Sequence, residues 1–250
     1  MDTRLALDIP PQPDDVTCGP TCLKALYRYY EEGDAVPAAH PPRPEMDARD
    51  IARLTEEIRT LPDGGTLAVF LANHALKRGY GATMYTYNLT VFDPSWFAQP
   101  ETDFAAKLDA QLAVKQGDPR IAAATAGYRE FLKLGGRLRF EDLTGALIGR
   151  ILSSGKPILT GLSATYLYRA MRERPDTSED DDVAGWPSGH FVVLCGYDPK
   201  HRQVLVADPY AANPLADGQR YTVKLSRLIG AIFLGALTHD ANLLILEPQP

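Results

Sequence analysis

Two apolar segments in the last quarter of the chain, joined by a short turn, constrain the fold most. They read GHFVVLCGYD and RQVLVADPY, and the turn between them is PKH. Aliphatic and β-branched runs bounded by turn residues are typical of strands, and so short a connection joins antiparallel neighbours. The chain is therefore expected to contain an antiparallel sheet near its carboxyl end.

The segments before this hairpin carry mostly helical spacing of apolar residues. Helices are predicted from about Gly19, over 46–61, 66–79, two or three stretches of 94–134, and 141–155. Strands are predicted over 82–88 and 156–163, and the segments 221–233 and 241–248 are expected to supply further strand and helix material. The four prolines of DAVPAAHPPRPEMD indicate an extended surface connection. This order predicts an α+β fold in a single domain spanning 1–250, with a helical insertion at about 46–134.

Composition excludes several classes of function. A chain of 250 residues with 45% hydrophobic content can bury a large core, and its net charge of -6 without a Lys/Arg run argues against nucleic-acid binding. The start has no apolar run of signal-peptide length, and no stretch reaches the ~20 apolar residues of a membrane span. We expect a cytoplasmic protein with no membrane partner. Three cysteines form no disulfide framework, and we expect free thiols.

Cys18 stands at the predicted start of the first helix, ahead of Gly19 and Pro20. Proline is favoured in a first helical turn, and a thiolate there is stabilised by free N–H groups and the helix dipole. Cys18 is thus the candidate nucleophile. Cys22 lies one turn later among apolar residues and is predicted to be an inert core thiol. A Cys18–Cys22 disulfide is disfavoured by the separation of i,i+4 side chains.

A thiolate nucleophile needs a base, and His190 is the best placed of the five histidines. It opens the strand FVVLCG after the flexible segment WPSG, whereas the other four are predicted to be structural or solvated: His40, His74, His201 and His239. Asp208 ends the partner strand and should lie opposite Phe191 or His190, although a strand-ending turn alone would explain ADP. Gln12 could donate to an oxyanion together with the Cys18 N–H, although a lone Gln is usually only solvated.

Together, QPDDVTCGPT, GHFVVLCGYD and VLVADP resemble the double-glycine leader peptidases, and especially their stand-alone bacterial relatives. That family of papain-like cysteine peptidases also stands at the front of bacteriocin exporters. The resemblance implies a papain-like fold, with an N-terminal catalytic helix packed on a C-terminal antiparallel sheet. It also implies that Cys18 is the nucleophile, His190 the general base and acid, Asp208 the orienting carboxylate and Gln12 the oxyanion donor. The close matches cover about a quarter of the chain.

The substrate is expected to be a peptide or protein. Gly19 and Gly189, which flank the catalytic candidates, and Tyr166 and Trp186, which flank the acidic loop before His190, are the predicted substrate-binding residues. That loop, RERPDTSEDDDVAGWPSG, is either a lid that favours a cationic group or simply a solvated acidic surface. Its aromatic neighbours, Tyr168 included, could equally be packing residues.

The sequence predicts a cysteine peptidase or amide hydrolase among three possible functions, because a binding module would need none of Cys18, His190, Asp208 and Gln12, and hydrolysis is favoured over transfer. The first is amide hydrolysis through a thioester, the second is transfer of the same acyl group to an amine or thiol, and the third is non-catalytic peptide binding. A zinc site of Cys18, Cys22, Cys195 and His190 is improbable, because Cys195 should face the opposite side of the strand from His190. No cofactor fingerprint and no metal site are predicted, and the oligomeric state is open.

Overall fold

A single twisted sheet organises the protein. The computed structural model describes residues 3–32, 44–61, 65–115, 117–238 and 240–249. The strands are β1 (Thr3–Arg4), β2 (Tyr80–Thr86), β3 (Arg137–Arg139), β4 (Ile158–Ser163), β5 (Gly189–Asp198), β6 (Gln203–Ala207), β7 (Arg220–Lys224) and β8 (Asn242–Pro248). Within the described residues they form one sheet in the order β3-β2-β8-β4-β5-β6-β7, with β1 pairing with β5. The β2–β3 pair is parallel and the other pairs are antiparallel.

Helices cover both faces of the sheet. They are α1 (Cys18–Glu32), α2 (Pro44–Glu57), α3 (Ala68–Lys77), α4 (Phe104–Val114), α5 (Pro119–Lys133), α6 (Gly145–Ser153), α7 (Ala164–Tyr168) and α8 (Leu225–Leu234), with 3-10 turns at Pro94–Phe97 and Gly235–Thr238. The α+β class is confirmed, as are the helix at the N-terminus and the late antiparallel strands. The sequence did not predict β1, β3 or α7, which are short.

Two predicted helices have different ends in the structure. The helix expected over 141–155 begins at Gly145, because the Thr144 hydroxyl accepts a hydrogen bond from the Leu147 N–H at 3.2 Å and caps the first turn. The helix expected over 46–61 instead spans Pro44–Glu57, with proline in its first turn. Most of the predicted proline-rich connection, 33–43, lies outside the described residues.

Alternation along the strands divides the core into two parts. On one face, Phe191 and Val193 of β5 belong to a buried cluster with residues of α1, α3 and α5. On the other face, Val192 and Leu194 pack with residues of α6, α7 and α8. Buried apolar area on both faces is the main force that fixes β5 in the middle of the molecule.

The early part of the chain contributes a strand to the same sheet. β2 pairs with β8 over seven residues, from Tyr80 opposite Pro248 to Thr86 opposite Asn242. The region predicted as a helical insertion at about 46–134 therefore holds a strand as well as helices. In the sheet, β8 lies between β2 and β4, so the last strand of the chain connects this early strand to the hairpin strands.

The predicted hairpin is present, with a register that differs slightly from the expected one. Asp198 pairs with Gln203, but an irregularity between Leu194 and Gly196 shifts the pairing, so that Val193 lies opposite Ala207. A bulge of this kind adds a residue to one strand and bends it. It changes which side chains lie together at the far end of the hairpin, where His190 and Asp208 stand.

No described helix combines the length and the hydropathy that a bilayer crossing requires.

A buried carboxylate fixes the start of α3. Both Asp240 oxygens accept a hydrogen bond from the Ala68 N–H, at 3.1 and 2.9 Å, and the Asn242 amide donates to the same carboxylate at 2.9 Å. Burial raises the pKa of Asp240 to about 7, although these two hydrogen bonds act in the opposite direction. Because the folded-state pKa lies above the ordinary value, the stabilising contribution of Asp240 is complete at low pH and is lost as pH rises through about 7.

Asp240→Asn should therefore flatten the pH dependence of stability. Between pH 5 and 8 the free energy of unfolding of the wild type should fall relative to that of the variant, by at most about 1.4 kcal/mol per pH unit. Urea unfolding at several pH values measures this, with the exposed Asp217→Asn as the matched control. If the free energies of unfolding of the wild type and Asp240→Asn changed in parallel with pH, the prediction would be contradicted.

Candidate active site

Cys18 is the first residue of α1, as the sequence predicts, and it is partly exposed. The loop before it is held by hydrogen bonds: the Thr17 hydroxyl donates to the Asp14 carbonyl at 3.2 Å, and the Thr21 hydroxyl donates to the Thr17 carbonyl at 2.8 Å. Since the first N–H groups of a helix lack intrahelical acceptors, they surround the Cys18 sulfur with partial positive charge. The local structure thus places the thiol at the positive end of the α1 dipole.

Gly19 allows α1 to approach the sheet closely. A Cβ atom at this position would lie 2.8 Å from Thr66 Cγ2 and 3.2 Å from Phe191 Cδ2. The Cys22 thiol, one turn later, donates to the Phe191 carbonyl at 3.3 Å. These contacts bring the start of α1 against the start of β5. Packing therefore explains the glycine, and a contact between Gly19 and a substrate stays a prediction.

His190 lies between Cys18 and Asp208. Its Nε2 is 2.8 Å from Asp208 Oδ1, which leaves Nδ1 for Cys18, the other group that acts on the pKa of His190. Burial acts to lower the pKa of His190, but the hydrogen bonds to Asp208 and Cys18 and the negative charges of both raise it to about 10. The His190 imidazolium is therefore stable at neutral pH.

Asp208 is completely buried and fully hydrogen bonded. Oδ1 accepts from His190 and from the Tyr210 N–H at 2.9 Å, and Oδ2 accepts from the hydroxyls of Tyr168 and Tyr221, both at 2.6 Å. Burial acts to raise the pKa of Asp208, but the hydrogen bond and charge of His190 and the two hydroxyl donors hold it below its usual value. A charged carboxylate here fixes the orientation of the imidazole.

Sequence reasoning did not assign the two tyrosines to this site. Tyr168 was named only as a pocket or packing residue, and Tyr221 was not singled out. Tyr221 occupies an inward position of β7, the second strand along from His190, and no spacing rule in the sequence connects it to Asp208. The ring of Tyr168 also lies 6.1 Å from that of His190, and the ring of Tyr210 lies 6.4 Å from it. These rings keep water from much of the imidazole.

Gln12 precedes the nucleophile on the same loop. Its backbone N–H donates to the Pro209 carbonyl at 2.9 Å, which ties this loop to the residue after Asp208. One side-chain N–H of Gln12 donates to the Asp14 carbonyl at 2.8 Å, while Oε1 is buried without a partner among the described residues. The second N–H of Nε2 remains for another acceptor. The oxyanion role of Gln12 stays a prediction.

The other residues predicted to bind substrate are Gly189, Trp186 and Tyr166, and their surroundings differ. Gly189 is exposed at the first position of β5, directly beside His190. The Trp186 side chain is 69% exposed, and its backbone pairs with Glu173 across the acidic loop. Tyr166 instead faces α8, where it lies against Gly230. The substrate-binding roles of these residues stay predictions.

The acidic loop pairs part of its charge internally. Arg174 lies 3.3 Å from Asp176 and 3.9 Å from Asp181, and the Arg172 guanidinium donates to two backbone carbonyls of the loop. The Ser188 hydroxyl, close to His190, donates to Glu173 at 3.0 Å. Hydrogen bonds thus give the loop a defined conformation, and its proposed action as a lid stays a prediction.

The remaining thiols and histidines have structural surroundings. All three cysteines are free, and Cys22 and Cys195 are fully buried. Cys195 packs on the α1 side of the sheet, with its thiol near the Leu205 carbonyl at 3.7 Å. His74 connects Tyr27 and Glu57, and His201 pairs with Asp198 in the exposed turn of the hairpin. His40 and His239 lie outside the described residues.

The chain matches a known peptidase family and resembles two solved cysteine proteases. The model of the Peptidase_C39 like family matches residues 5–229. Xylellain, a cysteine protease from Xylella fastidiosa, is similar in structure with 12% identity and a TM-score of 0.49, covering 100% of this chain and 86% of that one. A double glycine motif protease from an AMS/PCAT transporter, solved with its leader peptide, has 14% identity and a TM-score of 0.44, covering 99% and 95%. No curated protein matches the chain.

Asp208→Asn should lower the pKa of His190 from its value of about 10, because burial then acts against Cys18 alone. NMR titration of the His190 ring nitrogens measures this directly. Asp198→Asn, which removes the acid of the other Asp–His pair, should leave His190 unchanged. A His190 that titrates identically in the wild type and in Asp208→Asn would contradict the assignment.

Proposed function

The chain belongs to the Peptidase_C39 like family and is a cysteine peptidase, and from this premise we propose that Cys18, His190 and Asp208 are its catalytic triad. The observation that carries the proposal is the placement of His190, whose Nε2 is 2.8 Å from Asp208 and whose pKa is raised by both Asp208 and Cys18. The substrate is a peptide or protein, and the reaction is hydrolysis of an amide bond through a thioester on Cys18.

The first half of the reaction forms the thioester. The Cys18 sulfur attacks the peptide carbonyl carbon, and the carbonyl oxygen becomes an oxyanion. As the C–N bond breaks, the His190 imidazolium gives its Nδ1 proton to the departing amine. A His190 pKa of about 10 suits this step, because the proton is present at neutral pH before the amine leaves.

The second half returns the enzyme to its starting state. Neutral His190 accepts a proton from water as the water oxygen attacks the thioester carbonyl. The C–S bond then breaks, the carboxylic acid leaves and Cys18 again carries the thiolate beside an imidazolium. Asp208 stays ionised throughout, because its four hydrogen-bond donors stabilise the charged form.

Oxyanion stabilisation is assigned to the Cys18 N–H and the Gln12 side chain. Both belong to the segment around the start of α1, and the bond between Gln12 N–H and the Pro209 carbonyl fixes that segment against the strand that ends at Asp208. The first N–H groups of α1 add partial positive charge near the developing oxygen anion.

Cleavage of a defined peptide library tests the function. The wild type and Cys195→Ala, the matched control for loss of a thiol, should both produce new carboxyl termini detectable by mass spectrometry, and Cys18→Ala should produce none. In water enriched in oxygen-18, the new carboxyl groups should gain the label, which identifies hydrolysis. Products joined to an added amine in place of labelled water would indicate acyl transfer, and cleavage that persists in Cys18→Ala would exclude the thioester.

Gln12→Ala should lower kcat by about 10²- to 10³-fold, the loss typical when one oxyanion donor is removed, with a smaller change in KM. Steady-state kinetics on a peptide found in the library give both constants. The exposed Gln99→Ala, just after the 3-10 turn Pro94–Phe97, is the matched control and should behave as the wild type. A Gln12→Ala enzyme with unchanged kcat would remove Gln12 from the mechanism.

A further inference from the structure

A cavity of about 730 Å³ lies outside the Cys18–His190–Asp208 group, and none of those three residues lines it. It is formed where α7, the start of α8 and the turn after α8 meet. Arg169, Lys224 and Arg227 lie on its wall together with Leu234 and Leu237. Its size is that of sites that hold small organic ligands.

The three cations of this wall have no acidic partner. Within the described residues, Arg169, Lys224 and Arg227 form no ion pair, and no described residue of the wall is acidic. Lys224 Nζ reaches only the His201 carbonyl, at 3.5 Å. Several other cations of the described residues are paired with carboxylates, among them Lys24, Arg78, Arg137, Arg150 and Lys156. A group of unpaired cations in a chain of net charge -6 indicates a place for an anion from outside.

Arg227 gives an independent sign of a missing ligand. Its Nε is buried and has no hydrogen-bond partner among the described residues. A buried donor without an acceptor is destabilising, and guanidinium groups with nothing to bind are uncommon in folded proteins. An anion in the cavity would accept from the other N–H groups of the same guanidinium.

The start of α8 adds to the positive potential. No side chain caps this ten-residue helix, whose N-cap is Lys224, and Ser226 places a hydroxyl on the same wall. Free N–H groups and the helix dipole favour a negative group at this end. The Leu225 N–H is already bonded to the Arg202 carbonyl at 2.9 Å, so that the later N–H groups of the turn remain for a ligand.

The opposite part of the wall is apolar and accessible. The exposed fractions are 45% for Tyr166, 37% for Leu234 and 61% for Leu237. Apolar surface beside a charged end suits a ligand that has both a negative group and a hydrocarbon or aromatic body. Inorganic anions would use only the charged end.

We propose that this cavity binds an organic anion, with its carboxylate or phosphate group held by Arg169, Lys224 and Arg227 and its apolar body lying against Leu234 and Leu237. The site is separate from the peptide-cleaving group but near it in the structure. The Tyr221 hydroxyl donates to Asp208 at 2.6 Å. Burial raises the pKa of Tyr221, and the positive charge of Arg227 acts in the opposite direction. Binding does not depend on Cys18 and is testable without any assay of cleavage.

Calorimetric and NMR titrations of the intact protein test the proposal with octanoate, octyl phosphate, inorganic phosphate and octyltrimethylammonium as probes. At least one of the two amphiphilic anions should bind saturably with one site per chain and shift the amide signals of Ser226 and Arg227. Inorganic phosphate should bind more weakly, and the cationic amphiphile should not bind there. The preferred anion identifies carboxylate or phosphate as the group recognised.

Variants separate the charged end from a merely apolar surface. Arg227→Gln and the exposed Lys224→Gln should each weaken binding of the preferred anion by about tenfold, the effect of losing one charge-assisted hydrogen bond. Lys200→Gln, an exposed cation in the hairpin turn, is the matched control and should bind as the wild type. Absence of saturable binding, equal affinity in all three variants, or equally tight binding of octyltrimethylammonium would each overturn the proposal.

Discussion

The buried charge of Asp208 is the constraint on which the site depends. A carboxylate with no exposed surface is unfavourable unless donors surround it, and here four donors do so. They come from β5, from β7, from the end of α7 and from the segment after β6. Satisfying one carboxylate therefore fixes several elements, and the same bonds orient His190. Stability and catalysis thus require the same geometry at this point.

The second requirement is that α1 lies against β5. Cys18 and His190 are far apart in the sequence, and the close packing of Gly19 against Phe191 brings their backbones together. The Cys22 thiol strengthens this contact by donating to the Phe191 carbonyl. Two apolar faces of the sheet hold β5 in place, so that the histidine projects from a rigid strand toward a thiol at a helix end. A rigid frame of this kind keeps the proton-transfer distance short.

Much of this arrangement could be predicted because it follows local rules. The Gly-Pro pair after Cys18 predicted that the cysteine begins a helix. The two apolar runs and the short turn between them predicted the hairpin that carries His190 and Asp208. The hairpin register was less predictable, since the bulge beyond Leu194 has no clear sequence signal. The pairing of β2 with β8, and the position of Tyr221 beside Asp208, depend on tertiary packing between distant segments. Such contacts have no short-range pattern in a single sequence.

The central claim is that His190 activates Cys18, and the rate of iodoacetamide labelling tests it most directly. Peptide mass mapping resolves the labelling of each cysteine at mildly acidic to mildly alkaline pH. We expect rapid labelling of Cys18 already at acidic pH and loss of that reactivity in His190→Ala. The buried Cys22 and Cys195 should label slowly at every pH. A Cys18 that labels no faster than the thiol of an unstructured peptide, whether or not His190 is present, would contradict it.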